Sequence, residues 1–145
     1  MIPVTNQQRR VTVQEDEVRA TVSAVFAAER AGPPDVGVAL VDDETIHALN
    51  REHLDHDWPT DVIAFDYGED PAPDELRGEV VASAETAARE AAERGLCPRR
   101  ELLLYVAHGT LHLLGWDDDT PDKRQRMNAR AAAILDLISL GEEAP

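Results

Sequence analysis

Cysteine is almost missing from this chain, because Cys97 is the only one among 145 residues. A single cysteine excludes an internal disulfide and a zinc site built from cysteine ligands. The sequence also has no apolar run approaching the length of about twenty residues that a transmembrane helix needs. Its first ten residues lack the basic-then-apolar order of a secretory signal. These absences make a cytoplasmic protein the simplest expectation.

Positive charge is scarce as well. The chain has 14 Lys and Arg residues against 29 Asp and Glu residues, which gives a net charge of −15, and Lys123 is its one lysine. Such a surface repels a phosphate backbone unless positive charge is concentrated locally. The pairs Arg9-Arg10 and Arg99-Arg100 suit bidentate phosphate contact, but on an acidic surface solvated ion pairs are the more ordinary interpretation. Composition alone therefore argues mildly against RNA binding.

The length of 145 residues and the 43% hydrophobic content suit one compact domain, residues 1–145. Hydrophobic periodicity and capping residues predict alternating strands and helices. The predicted strands are residues 10–13, 36–41, 62–67 and 79–82, and the predicted helices are residues 15–30, 42–52, 84–94, one opened by Pro98 and one opened by Pro121. This order predicts the α+β class, a small mixed β-sheet covered by helices.

One stretch carries the chemistry, and residues 108–118 read His-Gly-Thr-Leu-His-Leu-Leu-Gly-Trp-Asp-Asp. His108 and His112 are four residues apart, so a helix places both on one face, where they can reach one ion. Gly115 can adopt the left-handed conformation that ends a helix, and the chain can then fold back to bring Asp118 to the same point. Two histidines and a carboxylate leave a coordination position open, as in catalytic zinc sites. We therefore predict a zincin-like site for one divalent metal ion, with Zn²⁺ as the expected ion. The alternative is a buried helix with two satisfied histidines followed by an acidic turn.

The ligand spacing is similar to that of the metzincin signature, H-E-x-x-H-x-x-G-x-x-H. That signature has a glutamate, the general base of peptide hydrolysis, where this chain has Gly109. Glycine cannot accept a proton from a water molecule, so a metallopeptidase would need another base.

Three blocks of the sequence, in order, resemble the YbeY family of metal-dependent endoribonucleases. Leu49-Asn50 followed by Asp57-Trp-Pro-Thr-Asp-Val-Ile-Ala-Phe65 is similar to the family's L-N … D-x-P-T-D-V-L-S-F. Gly78-Glu-Val with Ser83-Ala-Glu-Thr-Ala is similar to G-D-I … S-x-E-T-A, and residues 108–118 are similar to H-G-x-L-H-L-x-G-x-D-H. The resemblance implies a single-strand-specific endoribonuclease that acts in rRNA maturation and ribosome quality control, with rRNA and ribosomal particles as partners and no membrane.

Two departures from the family pattern bear on the chemistry. The family's third metal ligand is usually histidine, and that position is Asp118 here. A carboxylate is an acceptable zinc ligand, although it lowers the net charge of the centre. The neighbours Asp117 and Asp119 are alternative ligands if the turn differs. The family also has an arginine where this chain has Leu54, and Arg51, one turn earlier, is the nearest substitute.

The predicted mechanism is metal-assisted phosphodiester hydrolysis, with His108, His112 and Asp118 as ligands. The attacking base is not identifiable from sequence; Arg51 and Asp61 are weak catalytic candidates, and Asp61 is as well suited to capping a turn. Glu79 could support a ligand histidine or be a strand-end carboxylate, and Trp116 could stack on bases or pack. A non-catalytic ribosome-assembly factor with a structural metal is the main alternative function, since it fits Leu54 and Asp118. A zinc metallopeptidase is the other.

Overall fold

A computed structural model describes residues 2–54, 60–68 and 76–138 of the chain, without the side chains of residues 53 and 54. The side chain of Leu54 and the first three residues of the block at residues 57–65 therefore lie outside the described residues. None of the helices in the described ranges has the length and apolar character that crossing a bilayer requires.

The described elements alternate between strands and helices. In chain order they are β1 (Val4–Asn6), α1 (Glu15–Ala28), β2 (Val36–Val41), α2 (Asp43–Leu54), β3 (Val62–Asp66), β4 (Gly78–Ser83), α3 (Ala84–Arg94), α4 (Pro98–Leu113) and α5 (Pro121–Asp136). The four strands form one sheet in the order β1-β2-β4-β3. β1 and β4 pair parallel with β2, whereas β3 pairs antiparallel with β4. The predicted class, a small mixed sheet with helices, is confirmed.

Local sequence signals account for most helix boundaries. Asp42 accepts a hydrogen bond of 2.8 Å from the amide of Thr45 at the start of α2, and Ser83 accepts one of 3.2 Å from Thr86 at the start of α3. Gly95 ends α3 in the left-handed conformation, with φ at 64°. Proline stands in the first turn of both α4 and α5, where its missing N–H costs no hydrogen bond.

The core has a layer on each face of the sheet. Apolar side chains of β2 and β4 pack against α1, α3 and α4 on one face, and include Val38, Leu40, Val80, Ala82, Val22, Phe26, Leu102 and Val106. A smaller cluster on the other face joins Val41, Ile46, Ile63 and Val81 and seats α2. On α5, Met127, Ala131, Ile134 and Leu135 are buried. This arrangement encloses α4 between the sheet and the helices α1, α3 and α5.

The predicted first strand is wrong. Residues 10–13 form no strand, and the edge strand β1 is instead Val4–Asn6. The side chain of Gln8 accepts hydrogen bonds of 2.8 Å from the amides of Arg10 and Val11, and it donates one of 2.8 Å to the carbonyl of Val11. These local bonds satisfy the backbone groups that a strand would have used, so the alternating Val-Thr-Val pattern only buries Val11.

Candidate active site

The helix α4 lies directly on the sheet because glycine occupies its contact point. A Cβ atom added to Gly109 would lie 2.7 Å from Val80 Cγ1 and 3.2 Å from Val62 Cγ2. A Cβ atom added to Gly78 of β4 would lie 2.5 Å from the Phe65 carbonyl oxygen of β3 and 2.9 Å from Leu113 of α4. A side chain at position 109 would therefore point into the sheet and collide with it. The general base of a metallopeptidase could not act from this position.

The end of α4 turns the chain back through a Schellman motif. Gly115 has a φ of 104°, its amide donates to the carbonyl of His112 at 3.1 Å, and the amide of Trp116 donates to the carbonyl of Leu111 at 3.1 Å. These two bonds satisfy helix-end carbonyls and fix the direction in which the chain leaves the helix. The role predicted for Gly115 is confirmed.

The turn brings His108 and Asp118 together. His108 Nε2 lies 3.4 Å from Asp118 Oδ2, and the side chains are 21% and 39% exposed. Two donors that each bind one tetrahedral zinc ion at about 2.0–2.1 Å are themselves about 3.3 Å apart. The separation and the partial exposure of this pair therefore fit a shared divalent ion that solvent can reach.

The neighbouring aspartates face a different partner. Lys123 Nζ lies 3.8 Å from Asp117 Oδ2 and 3.3 Å from Asp119 Oδ1. Of the three consecutive aspartates, Asp118 is the one whose carboxylate pairs with His108.

His112 is the predicted ligand that the structure does not bring into the group. It lies one turn after His108 on α4, and its side chain is exposed. Within the described ranges, no three His, Cys, Asp or Glu side chains form a group that could hold a metal ion. The i, i+4 spacing still places both histidines on one face of the helix, and the three-ligand set remains a prediction.

Trp116 anchors the turn to the rest of the protein. Its Nε1 donates a hydrogen bond of 2.8 Å to Glu29 Oε1 at the end of α1. Arg130 of α5 donates to Glu29 Oε2, also at 2.8 Å. The indole packs against the cluster of α1, α4 and α5 side chains. Trp116 therefore has the packing role of its two predicted alternatives, and Glu29 joins the turn to two helices.

A groove of about 610 Å³ opens above the pair, and we call it the α4 groove. Helix α4 forms its floor, β3 and α3 form one side and α5 forms the other. Its polar lining residues are Asp61, Glu90, Arg94, Glu101, Tyr105, His108, Asp118, Arg124 and Asn128. The groove gives an extended substrate access to the predicted metal ligands.

The two weak catalytic candidates differ in their position. Asp61 lines the α4 groove, and its Oδ1 also accepts a hydrogen bond of 2.8 Å from the amide of Val62. Arg51 is exposed on α2 and is not among the residues that line the groove. Glu79 faces away from α4 and accepts a hydrogen bond of 2.5 Å from the Tyr67 hydroxyl, so it does not support a ligand histidine.

Sequence reasoning missed Tyr105, Arg124 and Asn128. Burial raises the pKa of the Tyr105 phenol well above its usual range, and the carboxylates of Glu101 and Asp61 raise it further. The phenol therefore stays protonated and can donate a hydrogen bond, but it cannot act as a base. Tyr105 is three residues before His108, a spacing that places both on one helix face and could have indicated its location. Nothing in the sequence brings α5 to the same groove.

Comparison with known proteins places this chain in a family. Residues 3–139 match the model of the family described as endoribonuclease YbeY. The chain belongs to that family. The endoribonuclease YbeY of Rhodopirellula baltica is 47% identical over 131 residues, which cover 89% of this chain and 66% of that protein. The endoribonuclease YbeY of Moorella thermoacetica is 39% identical over 150 residues, covering 94% of this chain and 96% of that protein.

The fold is also similar to a solved structure. The solution structure of the Thermotoga maritima protein TM1509 has a TM-score of 0.61 and 23% sequence identity, and the match covers 93% of this chain and 89% of that one. This likeness supports the α+β arrangement, while the YbeY family membership rests on the sequence match.

Proposed function

We propose that this YbeY-family protein is a metal-dependent endoribonuclease that cleaves single-stranded RNA in rRNA maturation and ribosome quality control. The observation that carries the proposal is the His108–Asp118 pair, 3.4 Å apart at the groove floor, in a chain that matches the family over residues 3–139.

His108, His112 and Asp118 would hold one divalent ion, with Zn²⁺ expected from the nitrogen and oxygen donor set. Such an ion, when bound, lowers the pKa of a coordinated water and polarises a phosphoryl oxygen. The residues of the chain would position the RNA around it. The protonated hydroxyl of Tyr105 is a hydrogen-bond donor in the groove, and Asp61 is the better placed of the two weak candidates for accepting a proton. Arg51 would act only if the substrate extended beyond the groove.

The partners proposed are rRNA and ribosomal particles in the cytoplasm. A net charge of −15 opposes the approach of free RNA. Productive binding would therefore depend on a ribosomal context that supplies further contacts.

The test is cleavage of a short single-stranded rRNA segment by purified protein loaded with Zn²⁺, compared with the same protein after chelation. We expect cleavage with zinc, none after chelation, and much slower cleavage of a perfect duplex. Cleavage of an unstructured peptide instead would favour the metallopeptidase alternative. Failure to cut RNA, either free or in ribosomal particles, would overturn the proposal.

The substitution Asp118→His separates an adapted site from a decayed one. It supplies the family's usual ligand and raises the charge of the centre by one unit, which should make a bound ion a stronger Lewis acid. If the wild type binds metal without cutting RNA while Asp118→His cuts, the natural chain has kept the fold and lost much of the chemistry. If both cut, the carboxylate is a working ligand.

A further inference from the structure

The two sides of the α4 groove differ in charge. Asp61 and Glu90 line the side formed by β3 and α3. The lining residues contributed by α5 are Arg124, Asn128, Ala131 and Ala132, and none of them is acidic. A polyanion entering the groove is therefore repelled from one side and accepted on the other.

Arg124 differs from most of the other arginines because, among the described residues, no carboxylate forms an ion pair with it. Arg94, the other arginine in the groove, pairs with the buried carboxylate of Glu101. In the described ranges most of the other arginines lie against a carboxylate, whereas no described acidic side chain forms an ion pair with Arg124. An unneutralised guanidinium in a groove can offer its planar set of donors to a phosphate.

The position of Arg124 on α5 extends this contact along a strand of RNA. Asn128 is four residues later and shares the groove face of the helix. Ala131 and Ala132 follow with only methyl groups, which leave room for a chain to pass. Asp118, three residues before α5 begins, lies at the near end of the same groove.

We propose that Arg124, with Asn128 one turn further on, is the phosphate-contacting side of the groove and holds the RNA backbone along α5. This inference rests on the proposed function. The family has an arginine at the position of Leu54, and the inference gives the phosphate contact of that missing arginine to α5 rather than to Arg51. The carboxylates of Asp61 and Glu90 keep the backbone on the α5 side.

The test compares Arg124→Gln with the matched control Arg126→Gln. Arg126 lies on the same helix, pairs with Asp122 at 2.9 Å and does not line the groove. Both variants lose one positive charge, so any effect of net charge is common to them. Arg124→Lys retains the charge without the bidentate geometry.

The first measurement is the affinity of a fluorescent single-stranded RNA for metal-free protein over a range of salt concentrations. We expect Arg124→Gln to weaken binding by about three- to tenfold and to reduce the slope of log affinity against log salt by about 0.7, the value for one lost phosphate contact. Arg126→Gln should keep the wild-type slope, and Arg124→Lys should recover most of it.

The second measurement is kcat/KM for RNA cleavage by the metal-loaded proteins at matched metal content. We expect Arg124→Gln to lower it by a similar factor, with Arg126→Gln near the wild type. Equal behaviour of the two glutamine variants in both measurements would overturn the α5 contact while leaving the endoribonuclease intact. A wild type that neither binds nor cuts RNA would instead refute the proposed function.

Discussion

His108 and Asp118 are ten residues apart in the chain and 3.4 Å apart in space. The contact depends on one backbone conformation, the positive φ of Gly115, and on the pairing of the adjacent aspartates with Lys123. The three consecutive aspartates therefore have two different partners. One carboxylate faces the histidine and the other two hold the turn to the start of α5.

Alanine substitutions should separate these tasks. Loss of a hydrogen bond that supports a metal ligand weakens metal binding by about 10- to 100-fold. We expect Asp118→Ala and His108→Ala, which remove a ligand itself, to weaken zinc binding by more than that. Asp117→Ala and Asp119→Ala remove no ligand and should retain the ion. Metal content by elemental analysis, with circular dichroism to verify folding, measures the outcome. Loss of metal in Asp117→Ala with retention in Asp118→Ala would show that Asp117, and not Asp118, is the ligand.

Tyr67 provides a prediction about pH. Its burial, together with the hydrogen bond to Glu79, raises the pKa of the phenol to about 12, above the ordinary value of about 10. The protonated phenol is favoured in the folded protein, so its contribution to the free energy of unfolding is fully present below a pH of about 10. This contribution is lost as the pH rises through about 12. Tyr67→Phe should therefore cost about 1–2 kcal/mol near neutral pH, and the difference from the wild type should shrink above pH of about 10.

Urea unfolding of both proteins between about pH 8 and pH 11.5 would measure this difference. Tyr105 is present in both, so its own raised pKa cancels in the comparison. A difference that stays constant across this range would contradict the assigned role of the phenol.

The packing of α4 on β4 depends on the absence of a side chain at Gly109. Gly109→Ala adds a Cβ atom 2.7 Å from Val80 Cγ1. We expect a net destabilisation of about 1–3 kcal/mol from overpacking, despite the better helix propensity of alanine. Val80→Ala removes the opposing methyl groups, so the double variant should be more stable than the sum of the two single effects predicts.

The double-mutant cycle is measured by chemical denaturation. The matched control is Leu111→Ala, which truncates a buried side chain of the same helix that packs against α1 and α5 side chains. Its effect should add to that of Val80→Ala, because the two side chains belong to different clusters. Simple additivity of Gly109→Ala with Val80→Ala would show that the helix can shift at no cost and that the contact is loose.

Local signals in the sequence were enough for most elements and for the turn that joins His108 to Asp118, but not for the groove around that pair. α3 and α4 begin at Ala84 and Pro98, as predicted, because caps and proline act through neighbouring backbone groups. The first strand was missed because Gln8 bonds to the backbone of Val11, a side-chain choice that hydrophobic alternation does not reveal. The groove residues Arg124 and Asn128 were missed because their proximity to His108 depends on how α5 packs on α4.

The net charge of −15 is a property of the whole molecule and sets how stability responds to salt, whereas the local phosphate contacts set how RNA affinity responds. Screening reduces repulsion among the carboxylates, so we expect the Tm to rise as salt increases from about 10 mM to about 150 mM. RNA binding should weaken over the same range because counterion release contributes less. Calorimetry and fluorescence anisotropy on one preparation measure both. A Tm that falls with salt would show that attractive ion pairs outweigh the repulsion.

The enclosure of α4 has a consequence for how an ion could enter the protein. Leu102, Leu103, Val106, Ala107 and Leu111 are all 0% exposed, so the backbone amides of this helix should exchange with deuterium only through global unfolding. The amides of Asp117 and Asp119 lie in an exposed turn and should exchange by local opening. His108 and His112 would thus be held on a rigid support, while Asp118 lies in a turn whose amides open locally. Zinc should slow deuterium uptake in the turn and leave that of α4 almost unchanged, so the turn would set the rate of metal capture.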